Sequence, residues 1–389
     1  VAAELTPGAL RRMALDADPD VIAARAGLER ARARAAAAGL WPNPRLAGRV
    51  LGLETGGVRG EAALLFGLPV GGRLGAEVEQ AAADQALATL DLELARLQAL
   101  RRLERGRLRL AHARAEVALL RGLVERSEQN AAVVEARGRS ALADPLDAAL
   151  VRAQQARDRQ ALVRARAELR SQQRRLRLLV GLAPGTGRLP ETGLAAEPLD
   201  EELAGLRRDG AAGHPAVRRA RLVLALAERQ AARVAAERVP DLELGPAFDG
   251  GPDGVAGGVM LGIELPLLDS GAADYRRALA RRAAAAAALR QAQREAAVAV
   301  ADRLAALRAR RDELAALEAG AAARVAEAAA LAESRFAAGR LDAVRLLALH
   351  RAHVELQRGR LRLRRDVRLA RIALQRVVGR PLRLKEGSQ

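Results

Sequence analysis

His350 and His353 lie three residues apart, a spacing that puts two imidazoles on one face of a helix where they could share a metal. No third ligand is near in sequence, and His353 also falls on an apolar seam, so the pair predicts no metal site. His112 and His214 are isolated, and His214 simply precedes a proline. Gly71-Gly72 ahead of a helix could hold an anion at the helix N-terminus. A phosphate loop ends in Gly-Lys-Ser/Thr, whereas this chain reads Gly72-Arg73-Leu74. Ser127, Ser140, Ser171, Ser270, Ser334 and Ser388 lack a nucleophile elbow. The carboxylates mostly face Arg at helical spacings, as exposed ion pairs worth a few tenths of a kcal/mol each. The chain therefore predicts no catalytic residue, no metal and no cofactor, and it does not read as an enzyme.

The formal net charge is +18, and Lys385 is the only lysine among 65 basic residues. Such a balance could suit nucleic acid. The Arg residues are instead interleaved with Glu and Asp along every predicted helix, and aromatics, at 1%, are too few to stack bases. They predict solvated helix faces. With no Cys, disulfides and thiolate metal sites are excluded. No run of about 18 apolar residues predicts a transmembrane helix. The start at Val1 fits a removed signal peptide or a trimmed chain.

The elements that carry these residues occur twice. Asp18-Pro19-Asp20-Val21 returns as His214-Pro215-Ala216-Val217, and Pro44 returns as Pro240, both 196 residues on. Gly67-Leu68-Pro69 returns as Glu264-Leu265-Pro266, and Gly138 as Gly339. A duplication of this size predicts one architectural unit built twice. The first repeat spans 1–195: a helix, a β-hairpin over 45–70, a long helix over 72–137, a tip at 138–145 and a helix over 146–180. The second spans 196–389: a helix over 216–238, a β-hairpin over 241–266, a long helix over 271–337, a tip at 338–342 and a helix over 342–378. The fold class is mainly α with a small β part.

Leu87, Leu90, Leu94 and Leu97 are spaced 3-4-3, a coiled-coil seam. In the last helix Leu346, Leu349, His353, Leu356, Arg360, Leu363, Val367, Ala370, Leu374 and Val377 keep a heptad, which predicts left-handed supercoiling. The two hairpins supply four strands. Four strands cannot close a barrel, and an open sheet leaves adhesive edges, so neighbouring chains are expected to complete it. Only Phe66 and Phe248 are aromatic in these segments, which predicts a barrel short of interfacial anchors.

In order and spacing the chain resembles the TolC-type outer membrane efflux protein family over essentially its whole length. The resemblance rests on the duplicated Pro19 and Pro215 helix starts and on Gly-Leu-Trp-Pro-Asn-Pro at 39–44. It also rests on Leu-Pro-Val-Gly-Gly-Arg at 68–73, Pro-Leu-Asp at 145–147 and Arg-Phe-Ala-Ala-Gly-Arg-Leu-Asp at 335–342. The Gly-Gly-Arg is most similar to the heavy-metal efflux branch. The resemblance implies a homotrimer whose chains each give four strands to one 12-stranded barrel in the cell outer membrane. Long helices would extend into the periplasm as a tunnel. A periplasmic adaptor and an inner-membrane pump would dock at the helical tips, which form the entrance. It implies an exit duct for tripartite efflux or type I secretion. In the family, ion pairs and hydrogen bonds at the tips help hold the entrance closed. Carried over, that role reaches Asp147 directly; Phe336 stands where a Tyr often stands and Arg345 where a second Asp often stands. Asp144, Arg340 and Asp342 are candidate substitutes, and Gly138 and Gly339 mark the two turns. The alternative is a soluble elongated coiled-coil scaffold or periplasmic adaptor without a pore.

Overall fold

A computed structural model describes residues 5–52, 58–139, 145–183, 189, 206–251, 254–266 and 270–379. The order is α1 (Pro7–Ala17), α2 (Pro19–Ala37), β1 (Arg45–Gly52), β2 (Val58–Leu68), α3 (Arg73–Arg139), α4 (Pro145–Leu179), α5 (Leu206–Gly213), α6 (Pro215–Ala236), β3 (Leu242–Gly251), β4 (Gly254–Ile263), α7 (Ala272–Ala319), α8 (Ala321–Ala337) and α9 (Ala343–Val378). The chain divides into two units. One comprises 23–94 and 216–295; the other comprises 1–22, 95–215 and 296–389.

The first of these units holds the sheet. Its strands run in the order β1-β2-β3-β4, every neighbouring pair antiparallel. Only β2 and β3 have partners on both sides; β1 and β4 are edges. Proline cannot donate to a ladder, and β3 carries Pro246. The β2–β3 pairing correspondingly lapses between Ala63↔Ala247 and Phe66↔Leu244. In that gap the backbones come close: a Cβ on Gly245 would lie 1.8 Å from the Leu64 carbonyl oxygen, so only glycine fits. Guanidinium–carboxylate pairs between the helices of this unit match charges: Arg218 to Glu93 at 2.8 Å, Arg219 to Asp91 at 2.8 Å and Arg34 to Asp84 at 3.1 Å.

The second unit is helical. Asp18 caps α2, its Oδ1 accepting from the backbone N–H of Asp20 at 3.0 Å, and Arg102 on α3 reaches both carboxylates at 2.8 Å. Its core is a series of apolar clusters. One packs Leu10 and Ala14 against Leu103, Leu110, Leu176 and Val180. Another joins Leu120, Val124, Leu162 and Val354. A third joins Val134, Val151, Phe336 and Leu346.

The structure alters three features of the sequence reading. The helix expected over 271–337 breaks at Gly320, where a residue of low helix propensity weakens the ladder. The short α5, unforeseen, packs on α9. At the start of α9 the buried residues are Ala343, Leu346, Leu347, His350 and Val354; of the predicted seam Leu346 is buried there, whereas Leu349, His353 and Leu356 are only partly so. Packing against both α8 and α4 rotates the buried face partly away from the leucine seam.

Candidate channel face and entrance

Strand periodicity gives the sheet two chemically distinct faces, since alternate residues point to opposite sides. On one side stand Arg45, Arg49, Arg59, Glu61, Glu243 and Asp249, with Ala47, Ala63, Ala247, Ala256 and Met260 between them. All of these but Arg59 line a hollow of about 930 Å3. Every charged residue of the described strands is on this side. Three are cations and three are anions, so the face is neutral on balance. Arg45 reaches Glu243 at 2.6 Å across β2, Arg59 grips Asp249, and Arg49 stands opposite Glu61 in the register.

The other side carries only apolar side chains and glycine: Leu46, Val50, Val58, Ala62, Leu64, Phe66, Leu68, Leu242, Leu244, Pro246, Phe248, Val255, Val259, Leu261 and Ile263. Most are bare. Leu46 is 77% exposed, Val259 75% and Leu261 66%. A soluble sheet buries its apolar face; this one leaves it bare. The alternation apolar-out, polar-in is that of a membrane barrel strand. At 11, 10 and 10 residues β2, β3 and β4 have the length a tilted crossing of the bilayer needs, and β1, at 8, falls just short of it. Among the described residues no helix is long and apolar enough to cross a membrane. Trp41, 65% exposed just before β1, and Tyr275 at the start of α7 beside Arg238 add aromatics at the foot of the sheet.

The candidate entrance lies in the helical unit. The turn between α8 and α9 is fixed by backbone chemistry. Gly339 has φ +76°, its N–H donates to the Phe336 carbonyl at 3.1 Å, and the Arg340 N–H donates to the Arg335 carbonyl at 2.8 Å. That is a Schellman closure, which needs a left-handed residue where Gly339 stands. Asp342 then caps α9, accepting from the Arg345 N–H at 2.7 Å. The Arg345 side chain approaches the same carboxylate at 3.5 Å, but both groups are exposed and the pair contributes little. Asp342→Ala should therefore destabilise this turn by about 1 kcal/mol, read as a lower midpoint in thermal unfolding, while Arg345→Ala should leave it nearly unchanged.

Of the other candidates, Gly138 lies within the last turn of α3, and Asp144 falls outside the described residues. Asp147 sits half-buried in the first turn of α4, where a carboxylate favours the helix dipole. Phe336 is 1% exposed and packs among Ala131, Val134, Val151, Ala332, Ala343 and Leu346. It joins the two helical pairs as a core residue. The structure thus gathers Gly339, Arg340, Asp342 and Arg345 into one turn.

Sequence reasoning missed a polar level in this unit. Ser127, Gln154, Asp158 and His350 are all buried. On α3, α4 and α9 they fall between the apolar levels of Val124, Leu162 and Val354 and of Ala131, Val151 and Leu346. Gln154 Nε2 donates to Asp158 Oδ1 at 2.8 Å, whereas Gln154 Oε1, Asp158 Oδ2 and His350 Nε2 find no partner. A signal existed: Gln154 and Asp158 interrupt the stripe Val151, Leu162, Ala165 at helical spacing. Among the described residues no three imidazoles or carboxylates converge as a metal site requires.

The family model for outer membrane efflux proteins matches residues 206–380, from α5 to the end of α9. Over that segment the chain is similar to the outer membrane efflux protein family. Solved structures of similar fold extend the likeness to both halves. They include CusC (17% identity, TM-score 0.78, covering 97% of this chain and 93% of that one) and the Vibrio cholerae outer membrane protein VceC (19%, 0.78, 97% and 96%). The MtrE outer membrane channel of Neisseria gonorrhoeae, solved in an open state, is a third (18%, 0.77, 96% and 89%). No curated protein sequence matches. The mainly α fold with a small antiparallel sheet is that of these outer membrane proteins.

Proposed function

We propose that this chain is an outer membrane efflux protein, the exit duct of a tripartite efflux or type I secretion system. It would work as a homotrimer whose sheets close one 12-stranded barrel. The observation that carries this reading is the inverted sheet, bare and apolar on one side, charged and hollow on the other. Two open edges on each chain support closure with neighbouring copies. A pump and an adaptor would supply the energy and act at the helical tips, with Asp147, Phe336, Gly339, Arg340, Asp342 and Arg345 shaping the entrance. The balanced charge of the hollow face argues for a wall with weak ionic preference at the barrel. A soluble scaffold would leave that apolar face without a solvent it tolerates.

Adjacent β4 residues provide the test, because they point to opposite sides. Leu261→Arg places a charge against lipid, at a cost of about 2–4 kcal/mol near the bilayer midplane. Met260→Arg places it in the hollow. In mild detergent without boiling, the parent and Met260→Arg should run as a compact multimer and Leu261→Arg should not. Equal behaviour of the two variants would reject the membrane reading.

A further inference from the structure

Between α3 and α4 a groove of about 240 Å3 is lined by Arg102, Arg105, Arg109 and Arg175. Leu176 and Leu179 also line it, as does Gln172, whose Nε2 donates to Glu168 Oε1 at 2.6 Å. Gly106 shapes it: a Cβ there would come within 3.1 Å of Leu176 Cδ1. Only Arg102 has carboxylates, Asp18 and Asp20, each at 2.8 Å. Arg105 directs its Nε to the Arg101 carbonyl at 3.3 Å. Among the described residues no carboxylate pairs with Arg105, Arg109 or Arg175. Burial, and then repulsion from Arg376, Arg109 and Arg102, holds the Arg105 pKa below its ordinary value.

Guanidinium groups that share a groove with few counter-charges repel one another, and four of them line this one. Several negative oxygens on one small group would offset that repulsion, since each guanidinium can give two parallel hydrogen bonds to phosphate-type oxygens. A lone carboxylate would leave most of the positive charge unmatched. We infer that the α3–α4 groove is a binding site for a multiply charged oxyanion of the phosphate class, held by Arg105, Arg109 and Arg175. The inference is independent of the exit-duct reading, because it uses only helices of one unit.

The probe is inorganic pyrophosphate, titrated into the detergent-solubilised full chain by calorimetry at constant ionic strength. Saturable binding is expected, with affinity falling at least tenfold in the double variant Arg105→Gln/Arg109→Gln. The same pair of substitutions at exposed Arg308 and Arg311 on α7 should leave affinity unchanged. The groove variant relieves repulsion, so without ligand its unfolding midpoint should equal or exceed the parent's. Failure to saturate, or equal losses in both double variants, would mean general attraction to a basic chain and would overturn the site. A second arm uses vesicles containing phosphatidic acid. Vesicle binding displaced by pyrophosphate would support the site with a lipid headgroup as the source, and pyrophosphate binding alone would support it with a soluble ligand.

Discussion

Phe336→Ala is expected to destabilise the helical unit by about 3–5 kcal/mol, the usual cost of deleting a buried aromatic. The magnitude follows from the neighbours. Phe336 is 1% exposed, and Ala131, Ala332 and Ala343 around it are too small to refill the space. The cavity would persist and its lining would lose contacts outright. Because the ring touches residues of α3, α4, α8 and α9, its loss should loosen both tip hairpins together. Denaturant unfolding measures the cost, and single-channel recording should show longer openings. A loss below about 1 kcal/mol would show that the ring is not packed as described. Phe336→Tyr, which restores the aromatic hydroxyl that the family resemblance associates with this position, should cost about 1–3 kcal/mol here, because it forces a hydroxyl into an apolar cluster.

The second large effect is a dependence on pH. Burial, with Arg126 and His353 nearby, depresses the His350 pKa from 6.5 to about 4. Glu333 lies 3.9 Å from its Nδ1, too far to offset this. An imidazole kept neutral in the fold takes up its proton more readily when unfolded. Its contribution is therefore complete above pH 6.5 and declines as pH falls from 6.5 towards about 4. The fall amounts to at most about 3 kcal/mol. Asp158 works in the opposite sense. Burial raises its pKa from 3.8 against the pull of Gln154, Arg358, Ser127 and Arg351, so its cost appears as pH rises through its folded value. Acidification should thus loosen the α9 side of the polar level while relieving α4. Thermal unfolding at pH 7.5 and pH 4.5 tests this. His350→Leu should flatten the acid loss and raise the midpoint most at low pH. A variant profile parallel to the parent's would refute the assignment.

Local backbone rules made much of the fold legible. Pro19, Pro145 and Pro215 each stand at the first position of a helix, and Gly339 ends one. Such signals act within a few residues, so no tertiary knowledge is needed to read them. The hairpins were visible for the same reason. What the sequence did not reveal depends on neighbours. The His350 stripe was hidden because a leucine heptad on the adjoining face was the stronger pattern, and only packing against two helices decides between them. The sidedness of the sheet was obscured by counting aromatics. Its signal was the alternation Arg45, Ala47, Arg49, which acquires meaning once β2 and β3 add Arg59, Glu61, Glu243 and Asp249 to the same side. At the proposed entrance, Asp147, Gly339 and Asp342 were readable as helix-end residues. Phe336 was legible as important but not as core, because burial is a property of four helices and not of one motif.

The two unsatisfied strand borders bear on inheritance. A ring of the kind proposed above, joined border to border, would accept a damaged copy as readily as a sound one, because a copy spoiled on β4 keeps a sound β1. With equal expression of sound and spoiled copies, a three-membered ring would be wholly sound only about one time in eight. Lesions confined to one border should then be dominant in mixed populations, whereas lesions that prevent the chain from folding at all should be recessive.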